Sequence, residues 1–243
     1  MPFVALPPGE ESFPHYASRA QIVALLNTPM AEHAWAYCLV RLCTGCRGDA
    51  ALDLQAPQVD RQSNYVRLNP PGRRQTRKYR PTVPLVRPLA AYLDEAQPQG
   101  YLVNWHGKQI KSIKTTWRKL RVAAGLPSWF APRVLRHTVA TWLRQRGVPA
   151  WDVSGQIGHR AAGTTDGYAK FDPSYLGEAR KAIEAFLLDL SKDVPRLRPL
   201  CGVSAGSLAT QTETARTRES RAVAAFQVVG GTGIEPVTPT MSR

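Results

Sequence analysis

Between Pro132 and Tyr168 the chain places groups suited to work on a phosphodiester. These are Arg133 and Arg136, His159 after Gly158, and Tyr168 nine residues beyond that histidine. A guanidinium binds the non-bridging oxygens of a phosphate bidentately. An imidazole N–H can hydrogen-bond the same oxygens. A phenol hydroxyl can attack phosphorus as a nucleophile, provided that positive charge or a base offsets its pKa near 10. The set therefore suits attack on a phosphate ester with electrostatic stabilisation of the charge that develops.

The flanking pattern predicts the elements that hold these groups. Leu135, Val139 and Trp142 fall at i, i+4 and i+7, which predicts an amphipathic helix with Arg136 near its N-terminal end. Arg144 and Arg146 suit its C-terminus, and Gly147 suits the position just past the end. Pro149 opens a second helix, which Gly158 ends with His159 at the tip.

Three blocks carry a family resemblance. Arg133-Val134-Leu135-Arg136-His137-Thr138, then Ile157-Gly158-His159, then Thr164-Thr165-Asp166-Gly167-Tyr168, in that order, resemble the tyrosine recombinase (phage integrase) family. Its pattern there is roughly His-x-Leu-Arg-His-Thr, Leu-Gly-His and Thr-Thr-x-x-Tyr, so Arg133 stands where histidine is usual. Upstream, Thr44-Gly45-Cys46-Arg47 resembles the family's Thr-Gly-x-Arg segment, whose arginine is the first of two phosphate clamps. The usual glutamate three residues on is Ala50 here. The buttressing carboxylate is absent, or Asp49 or Asp53 replaces it.

The resemblance implies a mainly helical α+β fold with a small antiparallel sheet, over roughly residues 18–190. It also implies a site-specific recombinase that cleaves and rejoins double-stranded DNA through a 3′-phosphotyrosyl intermediate on Tyr168. Arg47 and Arg136 would hold the phosphate, His159 would donate to a non-bridging oxygen, and Lys78 would protonate the leaving 5′ oxygen. Arg77 is the alternative to Lys78, but a guanidinium is a poor proton donor. Arg133 cannot act as a base at neutral pH, though its charge can lower the phenol pKa. No metal or cofactor is implied. The partners implied are DNA and further copies of the chain, as a tetramer on DNA. Two rival readings remain: a DNA-binding remnant without catalysis, and relaxation of DNA in the manner of a type IB topoisomerase. The family's usual upstream DNA-clamping domain is not expected among the residues before 18.

Composition agrees with a polyanionic partner. Among 243 residues, 32 are Lys or Arg against 18 Asp or Glu, a formal net charge of +14. The four cysteines, Cys38, Cys43, Cys46 and Cys201, are too few for a secreted disulfide framework, and the CxxC at Cys43–Cys46 lacks further ligands at zinc-knuckle spacing. They read as core cysteines beside a tight turn. No run reaches the roughly 18 apolar residues of a membrane span, and no signal peptide is evident, so a cytoplasmic protein is expected.

In chain order, residues 1–17 are Pro-rich and read as a leader or linker. The integrase-like domain is expected over 18–191. Ser18 caps a helix carrying Ile22, Leu25 and Leu26. A buried helix follows over 32–43. Residues 58–84 predict antiparallel strands around Tyr65–Leu68 and Tyr79–Val83. Five of the eight residues from 73 to 80 between them are basic, among them Arg73, Arg74, Arg77 and Lys78, which suits a tip lying along DNA phosphates. Helices are expected over 86–96 and 111–124, with a short strand at Tyr101-Leu102-Val103 between them. Asp172-Pro173 predicts the start of an amphipathic helix to about Ser191. Residues 192–243 lose apolar periodicity and are expected to be a disordered tail.

Overall fold

The computed structural model describes residues 15–159 and 173–202. Helix α1 (Arg19–Asn27) opens with a reciprocal cap: Ser18 Oγ accepts from the Gln21 N–H, and Gln21 Oε1 accepts from the Ser18 N–H. Helix α2 (Glu32–Thr44) is apolar almost all round, and every residue from Ala34 to Thr44 is buried. A helix without a polar face must be enclosed. Helix α3 (Gly48–Asp53) follows after a tight turn. Helices α4 (Arg87–Ala96), α6 (Arg133–Gln145) and α8 (Gly177–Ser191) also pack around α2.

Strands β1 (Val59–Asp60), β2 (Tyr65–Arg67) and β3 (Thr82–Pro84) form an antiparallel sheet in that order. Val66 pairs with Val59 and Val83, and Val66 and Val83 are fully buried. A second hairpin joins β4 (Asn104–Trp105) to β5 (Lys108–Gln109), turning through His106 and Gly107 at positive φ. Helix α5 (Lys114–Ala123) comes next. Trp117 on α5 stacks on Phe130 at 6.0 Å, and its Nε1 donates to the Phe130 carbonyl at 2.8 Å. Helix α7 (Ala150–Ile157) fills the stretch between α6 and His159. The mainly helical α+β architecture with a small antiparallel sheet matches the expectation from sequence. Among the described residues no helix is long and apolar enough to cross a membrane.

Several expectations need correction. Residues 192–202 are not part of a featureless tail. Turns of 3-10 helix at Pro195–Leu197 and Pro199–Cys201 bury Val194, Leu197 and Leu200 against the body. The spacing of three matches a 3-10 repeat rather than 3.6, and prolines hide it from a search for α periodicity. Arg196 pairs with Glu32 and lies over the Trp35 ring, 4.3 Å from its centroid. The leader or linker expected over 1–17 stops short of Ala17, which is buried and whose N–H donates to Thr138 Oγ1 on α6 at 2.8 Å. Tyr101 forms only a single bridge with Gln55, so the strand expected at 101–103 is replaced by the hairpin beyond it. Tyr79 lies outside β3. Pro173 begins a 3-10 turn, and the α-helix starts only at Gly177. Residues 1–14 and 203–243 lie outside the described residues.

Candidate active site

The end of α2 and the start of α6 meet at Gly45. Arg136, in the first turn of α6, donates from Nη1 to the Gly45 carbonyl at 3.1 Å. On the other side Gln156 of α7 donates to the Thr44 carbonyl at 3.1 Å. The open carbonyl end of α2 is thus closed by two side chains from elements far along the chain. Arg136 is 9 % exposed, and its Nη2 is buried without a hydrogen-bond partner among the described residues. Burial and the neighbouring Arg47 push its pKa down to about 10, so it stays a cation at neutral pH.

Arg47 is the N-cap residue of α3. Its Nη1 donates to the Tyr79 carbonyl at 2.8 Å and to the Gly158 carbonyl at 3.4 Å. Two backbone oxygens therefore hold this arginine. Ala50 is buried, and Asp49 is exposed. Asp53 is directed elsewhere: Oδ2 accepts from Arg80 Nη2 at 2.7 Å, and Oδ1 accepts from Gln109 Nε2 at 3.0 Å. Arg80 is buried, so this ion pair fixes the residue after Tyr79, whose carbonyl orients Arg47. The carboxylate acts one step removed from the arginine.

Arg47, Arg133 and Arg136 line one cavity of about 510 Å³, together with Tyr37, Arg41, Asp49, Lys111 and Lys114. Among the described residues, Arg41, Arg47 and Arg136 make no ion pair with a carboxylate. Several cations around one concave space, with Asp49 the only acid in its wall among the described residues, favour an anionic guest.

Gly158 ends α7 in the left-handed conformation (φ +66°). A Cβ placed there would come within 2.6 Å of Pro81 Cδ and 3.0 Å of the Tyr79 carbonyl oxygen. The glycine thus serves the turn and the close approach to the 79–81 segment. His159 follows, its N–H bonded to the Ser154 carbonyl at 2.8 Å. Its imidazole pKa is lowered by burial, then by Arg136 and Arg47, which holds the ring neutral near pH 7. His137 is lowered likewise, by burial, Arg136, Arg133 and Arg41. A neutral imidazole keeps one N–H donor for an oxyanion.

The structure thus brings Arg47, Arg133 and Arg136 to one cavity, with His159 close enough to feel the charge of Arg47 and Arg136. Lys78 precedes Tyr79, and its side chain is exposed outside the lining of that cavity. Arg74 and Arg77 are exposed on the same loop. Arg73 is folded back onto it, with Nη1 on Asn69 Oδ1 at 2.7 Å. Tyr168 lies outside the described residues. Sequence reasoning missed Arg41 and Arg80. The signal for Arg41 was its place inside an otherwise apolar helix.

Residues 16–174 match the phage integrase family. The chain belongs to that family. Among curated relatives of this integrase-family chain is tyrosine recombinase XerC of Chlamydia muridarum, 28 % identical over 162 residues, covering 61 % of this chain and 51 % of the relative. Tyrosine recombinase XerD of Staphylococcus epidermidis is 24 % identical over 193 residues, covering 71 % and 63 %. The crystal structure of XerA recombinase superposes with a TM-score of 0.51 at 22 % identity, covering 73 % of this chain and 66 % of that one, which supports the integrase fold. The chain spans about half the length of the first of these curated relatives.

Proposed function

We propose that this chain carries the catalytic part of a site-specific DNA recombinase working through a 3′-phosphotyrosyl bond. The observation that supports it most is the cavity where Arg47 and Nη2 of Arg136 meet, with no carboxylate paired to either among the described residues. That is a place for a phosphate. The Tyr168 hydroxyl attacks phosphorus, the bond to the 5′ oxygen breaks, and Lys78 gives that oxygen a proton. Arg47 and Arg136 hold the non-bridging oxygens, and neutral His159 donates to one of them. Arg133, in the cavity wall, lowers the phenol pKa through its charge. Rejoining reverses the steps, so the phosphodiester energy is kept. The substrate is double-stranded DNA, bound by further copies of the chain as a tetramer. The exposed residues Arg74, Arg77 and Lys78, with Arg73 beside them, line the backbone.

The test uses the whole chain and a duplex nicked just 3′ of the scissile phosphate. Loss of the short fragment traps the covalent complex, which should survive boiling in detergent, form in the presence of a chelator, and map to the peptide holding Tyr168. Tyr168→Phe should bind the duplex and give no adduct. An adduct on Tyr175 instead would move the nucleophile and overturn the assignment. Binding with no adduct at all would overturn the cleavage reading and leave a non-cleaving DNA-binding protein.

A further inference from the structure

Arg41 is the least expected residue of the cavity wall. It lies in the last turn of the buried helix α2 and is only 2 % exposed. Its Nη1 donates to Tyr37 Oη at 2.7 Å and its Nη2 to the Pro132 carbonyl at 3.0 Å, while Nε is buried without a partner among the described residues. Tyr37 is set in turn by an edge contact to Trp117 at 6.3 Å. Pro132 is the N-cap residue of α6, immediately before Arg133 and one turn before Arg136. On the other side, a Cβ at Gly48 would lie 2.9 Å from Tyr37 Oη and 3.1 Å from Arg41 Nη1. The start of α3, which carries Arg47 as its cap, therefore rests directly on the Tyr37–Arg41 pair. Arg41 touches the seats of both neighbouring arginines.

No carboxylate answers its charge among the described residues. A buried, unpaired cation is strongly unfavourable, and its hydrogen bonds to two neutral oxygens offset only part of that. Removing such a charge often stabilises a protein when the replacement fills the space. A charge kept at that expense is best explained by an anion that arrives later. From this position we propose that Arg41 is a third guanidinium of the phosphate cavity. It is a positioning residue: it ties α2 to the first turn of α6 beneath α3, and its charge adds to that of Arg47 and Arg136 on the bound phosphate. The inference rests on the phosphate-binding reading given above.

The test follows thermal unfolding of the whole chain against inorganic phosphate, with chloride exchanged to hold ionic strength constant, for the parent, Arg41→Met, Tyr37→Phe and Arg136→Met. Ligand binding to the folded state raises the unfolding temperature with concentration, which yields an apparent affinity. Arg41→Met should unfold at or above the parent temperature without phosphate and bind phosphate about tenfold more weakly, the scale of one charge-assisted interaction. Tyr37→Phe keeps the charge and frees the fork, so a smaller loss of two- to threefold is expected. If Arg41→Met binds phosphate as the parent does while Arg136→Met does not, Arg41 is no part of the cavity and the inference falls alone. If Arg136→Met also leaves phosphate binding unchanged, the phosphate site itself falls. A large drop in unfolding temperature of Arg41→Met without phosphate would assign Arg41 to the fold and overturn the charge argument.

Discussion

Gly158→Ala offers the sharpest check on the geometry of the site, because Gly147→Ala is a built-in control. Both glycines follow helices and both have positive φ, +66° at Gly158 and +76° at Gly147. An alanine in that region costs about 1–2 kcal/mol from the contact of Cβ with the following carbonyl. At Gly147 nothing lies within 4 Å of the added Cβ, so that is the whole penalty. At Gly158 the Cβ meets Pro81 Cδ at 2.6 Å and the Tyr79 carbonyl oxygen at 3.0 Å. The obstacle is a ring and backbone, which cannot swing aside as a flexible side chain would. Overpacking of this kind adds about 1–3 kcal/mol. The totals are roughly 1–2 kcal/mol for Gly147→Ala and about 2–5 kcal/mol for Gly158→Ala. In urea, with a slope of about 2 kcal/mol per molar, the midpoints fall by about 0.5–1 M and about 1–2.5 M. The displaced 79–81 segment also carries one carbonyl that holds Arg47, and Gly158 carries the other. Gly158→Ala should therefore weaken phosphate binding in the titration above, and Gly147→Ala should not. Equal midpoints for the two variants, or equal phosphate affinities, would show that α7 does not press on that segment.

Asp53→Ala should destabilise the domain by about 2–3 kcal/mol, below the 3–5 of a fully buried pair because the Asp53 side chain is 34 % exposed; Asp53→Ala with Arg80→Met should recover most of the loss, and a double variant no better than the single one would refute the pairing. Replacing Arg73, Arg74, Arg77 and Lys78 by Ala should flatten the plot of log affinity for DNA against log salt, each lost phosphate contact removing about 0.9 from the slope; an unchanged slope would place the loop off the backbone. His137 and His159 have pKa values held below the usual imidazole value by burial and nearby arginines. Because the folded state resists their protonation, their contribution to stability is present above about pH 6.5 and is lost as pH falls through the folded values. Unfolding measured across that range should show a decline that His137→Gln with His159→Gln flattens; a parent-like decline in that double variant would assign the titration elsewhere.

The sequence by itself determined most of the helices and where Arg47, Arg136 and His159 fall on them. Apolar residues at i, i+4 and i+7 bury one face of a helix whatever lies beyond it, so α6 and the place of Arg136 in its first turn could be read from Leu135 and Val139. Gly158 announced the end of α7 and put His159 at its tip, because a left-handed cap is a local requirement. The Thr44–Arg47 segment marked Arg47 in the same way. Short elements escaped. The two-residue strands of the β4–β5 hairpin are too brief for alternation to register, and the 3-10 turns at 195–201 follow a period that prolines obscure. Only the tertiary structure decided what holds each arginine. Whether Ala50, Asp49 or Asp53 mattered to Arg47 could not be read from spacing, since its acceptors prove to be the carbonyls of Tyr79 and Gly158, 32 and 111 residues away. Backbone oxygens are offered by every residue alike, so residue type carries no trace of which ones serve. Arg41 shows the same limit: a cation inside an apolar helix is visible in the sequence, but the Tyr37 hydroxyl and Pro132 carbonyl that receive it, and the cavity it faces, exist only once α2, α3 and α6 are packed together.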